Sequence, residues 1–132
     1  MPVRKTRQRE AIYQVLDDAP GPLSMDEILK AGRAVHPTLG QRTVYRNIQE
    51  MIADGSLIRL EFPGQATRYE RPAVDHHPHF ICRVCGKVFD LPGQTPDIAS
   101  QYQAPSGIVL DGEEVVFFGR CANPQQCPHR SA

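Results

Sequence analysis

Residues 76–85 read His-His-Pro-His-Phe-Ile-Cys-Arg-Val-Cys, a histidine cluster followed at once by a Cys-x-x-Cys pair. The chain has only two other cysteines, near its C-terminus, so its four thiols form one complete set. Zinc bound by four thiolates is a closed, tetrahedral, structural site. The sequence therefore predicts a structural zinc on Cys82, Cys85, Cys121 and Cys127, with a second metal site at the histidines.

Two disulfides are the alternative use of four cysteines, and a small secreted domain would favour them. The chain starts Met-Pro-Val-Arg-Lys-Thr-Arg and has no apolar stretch as long as a signal peptide or a membrane span. We therefore expect a cytoplasmic protein with no membrane contact, in which paired cysteines are typical of metal binding. The later pair is Cys-x5-Cys, a looser spacing, so Cys127 has the weakest argument of the four ligands.

Positive charge is concentrated in the N-terminal half of this 132-residue chain, whose net charge is zero. Residues 1–72 hold 11 Lys and Arg against 9 Asp and Glu, whereas residues 73–132 hold 4 against 6. The first nine residues include four basic side chains and no acid: Arg4, Lys5, Arg7 and Arg9. A basic arm is compatible with phosphate contact, although a solvated N-terminus explains the same charges equally well.

The first 72 residues have the pattern of three helices followed by a β-hairpin. Apolar residues at helical spacing, and a capping box from Ser24 to Glu27, predict the helices. The first predicted helix covers residues 7–17, the second runs from residue 24 to a break at 36–40, and the third covers 41–54. The predicted strands cover residues 57–62 and 67–70. This is the element order of a winged helix-turn-helix domain.

The third predicted helix carries polar side chains beside an apolar stripe formed by Val44, Ile48, Met51 and Ile52. Such side chains can hydrogen-bond base edges and phosphates from the major groove. A polar helix face is more often simply solvated. The grouping at the start of this helix favours DNA contact, and its polar residues are Gln41, Arg42, Thr43, Tyr45, Arg46 and Asn47.

The C-terminal half has the pattern of a small α/β unit. β-rich runs predict strands, with an Asp-Gly turn between the last two of them, and Pro96 favours the first turn of a short helix. The predicted elements are strands over residues 80–81, 88–91, 108–110 and 115–118, and a helix over 96–102. We also predict that Val116 and Phe118 pair with a second copy across a dimer.

With these motifs, the chain resembles the ferric uptake regulator (Fur) family of bacterial metal-dependent repressors. The matching segments follow in order over nearly the whole chain: 6–9, 23–28, 42–48, 54–58, 76–88 and 118–121. The resemblance implies an α+β homodimer, with a winged-helix DNA-binding domain in residues 1–72 and an α/β dimerisation domain with the four-cysteine zinc site in residues 73–132. It also implies repression of metal-homeostasis or metal-linked stress genes through binding to AT-rich inverted repeats.

The resemblance implies DNA-contact residues as well. Tyr45 and Arg46 would read the groove, Arg9 and Arg42 would contact the backbone, and Thr43 lies among them. Metal would fix the spacing of the two DNA-binding lobes of the dimer, so that both third helices match half-sites roughly one helical turn apart.

A regulatory metal is implied on Glu70, His77 and His79. A fourth family ligand aligns with Pro22, which cannot bind metal, and Glu61 or water could replace it. Two imidazoles with carboxylates suit Zn²⁺, Mn²⁺ or Fe²⁺, and ligand softness does not choose among them.

A second regulatory site of the family would use His76 and Asp97, with Glu113 near the position of a late histidine. The acid that the family has within the histidine motif is replaced here by Pro78, which has no donor atom.

Three other function classes are compatible with parts of the sequence. One is a zinc-stapled DNA-binding regulator without metal sensing, and another is an adaptor that binds only protein. A zinc-dependent hydrolase could use His77 and His79 with a catalytic water. We expect no enzyme, because the chain has no His-Glu-x-x-His motif, no nucleophile elbow and no glycine-rich phosphate loop.

Overall fold

A computed structural model of the protein describes residues 3–72, 77–93 and 98–123, with side chains described from residue 7 onward. The chain divides into two compact units, residues 1–74 and 75–132. Among the described residues, the helices are too short or too polar to cross a membrane.

The first unit contains three α-helices and a three-stranded antiparallel sheet. Its elements are α1 (Val3–Asp18), β1 (Leu23–Ser24), α2 (Met25–Val35), α3 (Gln41–Ala53), β2 (Ile58–Leu60) and β3 (Arg68–Glu70), and the strand order is β1-β3-β2. One apolar core joins the helices, and its fully buried members include Ile12 of α1, Ile28 of α2 and Ile48 of α3. The predicted three helices and hairpin are confirmed.

The first unit also contains a buried polar network that ties the strand β3 to the start of α2. Ser24 and Glu27 form the predicted capping box, in which each side chain accepts a hydrogen bond from the other residue's backbone N–H. The same Glu27 carboxylate accepts a 2.6 Å hydrogen bond from Nη1 of Arg68, a side chain that is only 6% exposed. Arg68 also donates to the Pro22 carbonyl, at 2.9 Å, and to Oε1 of Gln65 in the turn before β3.

The second unit contains a three-stranded sheet with the order β5-β4-β6, formed by β4 (His79–Cys82), β5 (Val88–Asp90) and β6 (Val116–Gly119). β4 pairs antiparallel with β5 and parallel with β6. A Cβ at Gly119 would lie 2.9 Å from Cε1 of Phe80, so glycine lets β6 approach the Phe80 ring. The buried side chains of Ile81, Cys82 and Val88 lie around this sheet.

Two predictions for the second unit need correction. Residues 108–110 do not form a strand, and their side chains are exposed by half or more. A β-rich run needs a neighbouring strand, and this segment pairs with none within the described chain. The predicted helix over 96–102 is reduced to a 3₁₀ turn at Ala99–Gln101, and Pro96 lies outside the described residues.

Candidate metal centre and nucleic-acid interface

Three of the four predicted zinc ligands converge on one point. The Sγ atoms of Cys82, Cys85 and Cys121 lie within 4.8 Å of one another, and those of Cys82 and Cys121 are 3.6 Å apart. No disulfide joins these three cysteines within the described chain. A tetrahedral zinc with Zn–S bonds of about 2.3 Å separates its sulfurs by about 3.8 Å, so this cluster fits zinc. Cys127 lies outside the described residues.

The sheet of the second unit brings Cys121 back to the Cys-x-x-Cys turn. The parallel pairing of β4 and β6 sets Cys82 beside Gly119, two residues before Cys121. The turn itself closes with a hydrogen bond from the Gly86 N–H to the Cys82 carbonyl, at 2.8 Å, and Gly86 has a positive φ of 75°. Glycine adopts this left-handed conformation without the steric cost that a Cβ would add.

The Cys82 sulfur is prepared to act as a thiolate. Burial raises the pKa of the Cys82 thiol, but hydrogen bonds from the backbone N–H groups of Cys85, Cys121 and Val84 and from the Cys85 side chain lower it by more, so that the pKa falls to about 6. The thiolate is the form of cysteine that binds metal. At neutral pH this ligand is therefore already in its metal-binding state.

A second cluster of donor atoms lies at the other end of β4. The antiparallel pairing of β4 with β5 sets His79 opposite Asp90. The Nε2 atoms of His77 and His79 lie 3.0 and 3.3 Å from the same carboxylate oxygen, Oδ1 of Asp90. The His79 side chain is 8% exposed and that of His77 23%, so the imidazoles are largely shielded from water. Two imidazoles and a carboxylate with this convergence form a donor set that suits a divalent metal.

Asp90 was missed by the sequence analysis, which treated it only as part of a strand. Its position opposite His79 depends on the register between two strands separated by the Cys-x-x-Cys turn. An acidic residue at the end of the strand after that turn was the available signal.

The other predicted ligands are distributed over both units. Glu70 ends β3 and is half-buried, and Glu61 is exposed just after β2; both belong to the first unit. Glu113 is half-buried in the segment before β6. His76 and Asp97 lie outside the described residues, so the predicted second regulatory site has only one described member.

The helix α3 presents a polar face away from the core. Val44, Ile48 and Met51 are completely buried, whereas Arg42 and Arg46 are exposed and Tyr45 is 56% exposed. These three exposed side chains lie on the solvent side, where they are available for contact with DNA. Thr43 is half-buried beside them.

Asn47 belongs to the buried side of α3, so its grouping with the DNA-facing residues was wrong. It is only 3% exposed, and its Nδ2 donates to the Thr43 carbonyl at 2.9 Å. A polar side chain can take a place in an apolar stripe when it bonds to the preceding helical turn.

Arg9 has a partner within the first unit. Its Nη1 lies 3.2 Å from Oδ2 of Asp54, the residue that follows α3. Ser56 donates to the Asp54 carboxylate from its side chain and its backbone, and together with Arg9 these contacts hold the pKa of Asp54 below its usual value. Arg9 therefore links α1 to the end of α3, a role that competes with the predicted phosphate contact.

The sequence is similar to that of proteins of known function. The family model described as "Ferric uptake regulator family" matches residues 1–108. The chain is 35% identical to the ferric uptake regulation protein of Bordetella parapertussis over 107 residues, which cover 79% of this chain and 76% of the relative. It is 29% identical to the transcriptional regulator FurA of Mycobacterium bovis over 122 residues, covering 90% and 81% respectively.

A solved structure agrees with the sequence comparisons. The Helicobacter pylori ferric uptake regulator, which has three functional metal-binding sites, matches with a TM-score of 0.64 and 26% identity. The match covers 100% of this chain and 90% of that one. The predicted fold class, α+β with a winged-helix part and a dimerisation part, is confirmed.

Proposed function

The chain belongs to the ferric uptake regulator family, and we propose that a divalent metal on His77, His79 and Asp90 controls its binding to operator DNA. Proteins of this family are metal-responsive transcriptional regulators that bind DNA as dimers, and this chain is such a regulator, not an enzyme. The observation that carries the proposal is the convergence of two imidazoles on one carboxylate oxygen.

Glu70 is proposed as a further ligand, on the strength of the family resemblance. It ends the last strand of the first unit, whereas His77 and His79 belong to the second. A ligand set drawn from both units would join them when metal binds. Glu61 is the alternative carboxylate, and Zn²⁺, Mn²⁺ and Fe²⁺ all suit a set of two imidazoles and carboxylates.

The structural site is proposed to hold Zn²⁺ on Cys82, Cys85, Cys121 and Cys127. The 3.6 Å separation of two sulfurs and the low pKa of Cys82 support this assignment. Zinc with four thiolates has no open position, so this site would stabilise the second unit without taking part in sensing.

The DNA contact is proposed for the exposed face of α3. Arg46 and Tyr45 would reach base edges in the major groove, and Arg42 and Thr43 would contact the phosphate backbone. We propose that Arg9 contributes least to DNA binding, because its side chain is already paired with Asp54. The operator would be an inverted repeat, since a symmetric dimer presents two copies of α3, and its AT-rich composition is what the family resemblance implies. A protein that binds chromosomal DNA in this way would act in the cytoplasm.

The proposed switch is a shift between populations. Metal would add positive charge at His77, His79 and Asp90 and exchange their mutual contacts for bonds to one centre. A ligand shifts such an equilibrium only through its different affinity for the two states. The closed state must therefore bind metal more tightly, and metal and DNA must strengthen each other's binding by the same factor.

One observation favours a second candidate, a zinc-stapled regulator whose histidines do not sense metal. Oδ1 of Asp90 is hydrogen-bonded to Nε2 of His77 and lies 3.3 Å from Nε2 of His79, and such contacts can be purely structural.

A matched pair of variants separates the two candidates. His77→Ala removes one imidazole of the cluster, whereas His36→Ala removes a half-buried histidine of the first unit that contacts Thr38. Affinity would be measured with and without added Mn²⁺ or Zn²⁺, on the duplex that the metal-loaded protein selects from a random pool. The proposal requires that His77→Ala lose the metal-dependent gain while remaining a dimer, and that His36→Ala keep it. An undiminished gain in His77→Ala would contradict the proposal.

A further inference from the structure

Arg71 is held against α1 by two different contacts. Its Nη1 lies 3.1 and 3.0 Å from the two carboxylate oxygens of Asp17. Its guanidinium carbon also lies 4.5 Å from the centre of the Tyr13 ring, within the range of a cation–π contact. Tyr13 and Asp17 are one turn apart on α1, so both contacts come from the same face of the helix. We call these three residues the Arg71 clamp.

The arginine of the Arg71 clamp lies in the chain between the proposed metal ligand Glu70 and the division between the two units. Arg71 directly follows Glu70, the proposed metal ligand, and the division between the two units comes three residues later, after residue 74. The clamp therefore attaches the chain just after β3 to α1. The strand itself is held by its pairing with β2 and β1 and by the buried ring of Tyr69.

The helix α1 connects the clamp to the DNA-contact helix. Val15 and Leu16, which precede Asp17 on the chain, lie in the same buried cluster as Val44 and Ile48 of α3. A displacement of Arg71 would therefore act on a closely packed helix pair. Packed cores transmit such displacements, because they have few voids to absorb them.

We infer that Arg71 is a positioning residue that transmits metal occupancy at Glu70 to the DNA-contact helix α3 through Asp17 and Tyr13 of α1. The inference rests on the proposed function, because it requires a metal-dependent change at Glu70. Arg71 itself would contact neither metal nor DNA.

Two other roles for Arg71 are distinguishable from a clamp. The Arg71 and Asp17 side chains are 48% and 53% exposed, and an ion pair this exposed can be a surface contact with little effect on anything. An exposed arginine can also bind a DNA phosphate directly. A phosphate contact weakens DNA binding by a similar factor with and without metal when it is lost, and it reduces the salt dependence by about one charge.

The test measures the factor by which metal raises DNA affinity, in addition to the DNA affinity itself. DNA affinity would be determined with and without Mn²⁺ for the full-length wild type, Arg71→Ala, Arg71→Lys, Asp17→Ala and the double variant Arg71→Ala/Asp17→Ala. Asp18→Asn is the matched control, because Asp18 is the neighbouring exposed carboxylate of α1. Mn²⁺ affinity in the presence and absence of DNA gives the same coupling by an independent route.

We expect unchanged metal-free DNA affinity in every variant and a gain from metal that falls by about two- to fivefold in Arg71→Ala. Asp17→Ala should show the same loss and the double variant no further loss, because the residues act as one unit. Arg71→Lys should restore the gain only partly, since an ammonium keeps the charge but lacks the planar guanidinium that lies over the Tyr13 ring.

Three results would overturn the inference. The first is that metal raises the DNA affinity of Arg71→Ala as much as that of the wild type, while His77→Ala loses this metal-dependent increase. That result would leave the proposed function intact. Another is an equal loss of affinity with and without metal that Arg71→Lys restores, which would identify a phosphate contact. The third is a wild-type protein whose DNA affinity does not respond to metal, which would remove the proposed function together with the clamp.

Discussion

The Nε2 atom of His79 lies 3.3 Å from Oδ1 of Asp90, directly across the antiparallel pairing of β4 and β5. The backbone register of the sheet fixes this relationship, and His77 reaches the same oxygen from the segment before β4. Because two hydrogen-bonded strands hold His79 and Asp90, their donor atoms are arranged in advance of any ligand. Such preorganisation reduces the ordering cost of binding.

Asp90→Asn should weaken regulatory metal binding at least about tenfold, because a neutral amide oxygen is a poorer partner for a divalent cation than a carboxylate. DNA affinity in the presence of metal should fall with it, and the zinc content of the protein should not change. Asp111→Asn, a carboxylate in an exposed segment of the same unit, is the control. Titration with Mn²⁺ measures the effect, and equal affinities for the two variants would remove Asp90 from the site.

Zinc retention should depend on pH through Cys82. Burial raises the pKa of this thiol, but three backbone N–H groups and the Cys85 side chain bring it down to about 6. A lowered pKa favours the thiolate in the folded protein, so its stabilising contribution is complete above the ordinary thiol pKa near 9.0 and is lost as the pH falls through about 6. Above about pH 6 few protons compete with zinc for this sulfur, so we expect zinc to stay bound at pH 7 and its affinity to fall progressively at lower pH, as measured by competition with a chromogenic chelator.

Cys121→Ser provides the comparison for the zinc prediction. It removes the sulfur that lies 3.6 Å from that of Cys82, so zinc should be lost at neutral pH and the second unit should unfold more readily. A variant that retains one zinc per chain and unchanged stability would exclude Cys121 from the ligands.

Arg46→Ala should weaken operator binding by about 1–3 kcal/mol, the typical value of a good base contact, and relax the sequence preference at one position of each half-site. The fold should be preserved, because Arg46 is exposed on α3. Lys30→Ala removes one exposed positive charge from α2 and is the matched control. If both variants weaken binding equally on all sequences, Arg46 supplies only charge.

Arg68→Ala should lower the free energy of unfolding of the first unit by about 3 kcal/mol, because it leaves the partly buried Glu27 carboxylate without its closest cation. Urea denaturation would measure this loss. Arg59→Ala, on the exposed side of β2, should change stability by no more than about 0.5 kcal/mol. If the two variants had similar free energies of unfolding, the buried Arg68 network would make no net contribution to the stability of the first unit.

Local features of the sequence predicted local structure well. The Ser24–Glu27 capping box and the apolar stripe of α3 depend on residues three or four apart, and both occur as expected. The four cysteines predicted a common site because thiolates have few alternative uses in such a spacing, and three of them converge.

Features that depend on distant parts of the chain were harder to predict. Residues 108–110 have strong β propensity, but a strand also requires a neighbour, and none is formed within the described chain. Asp90 joins the histidines only through the register of β4 and β5, which the sequence does not reveal. Asn47 is buried with its Nδ2 donating to the Thr43 carbonyl, a contact that a polarity pattern does not indicate.

The most direct test of metal control is the metal content per chain, measured by elemental analysis before and after mild chelation, with operator affinity determined on the same samples. We predict one zinc that survives chelation and a second metal whose removal abolishes tight DNA binding and whose return restores it. A single tightly held zinc, with DNA affinity unchanged by chelation, would contradict metal control and leave a zinc-stapled DNA-binding dimer.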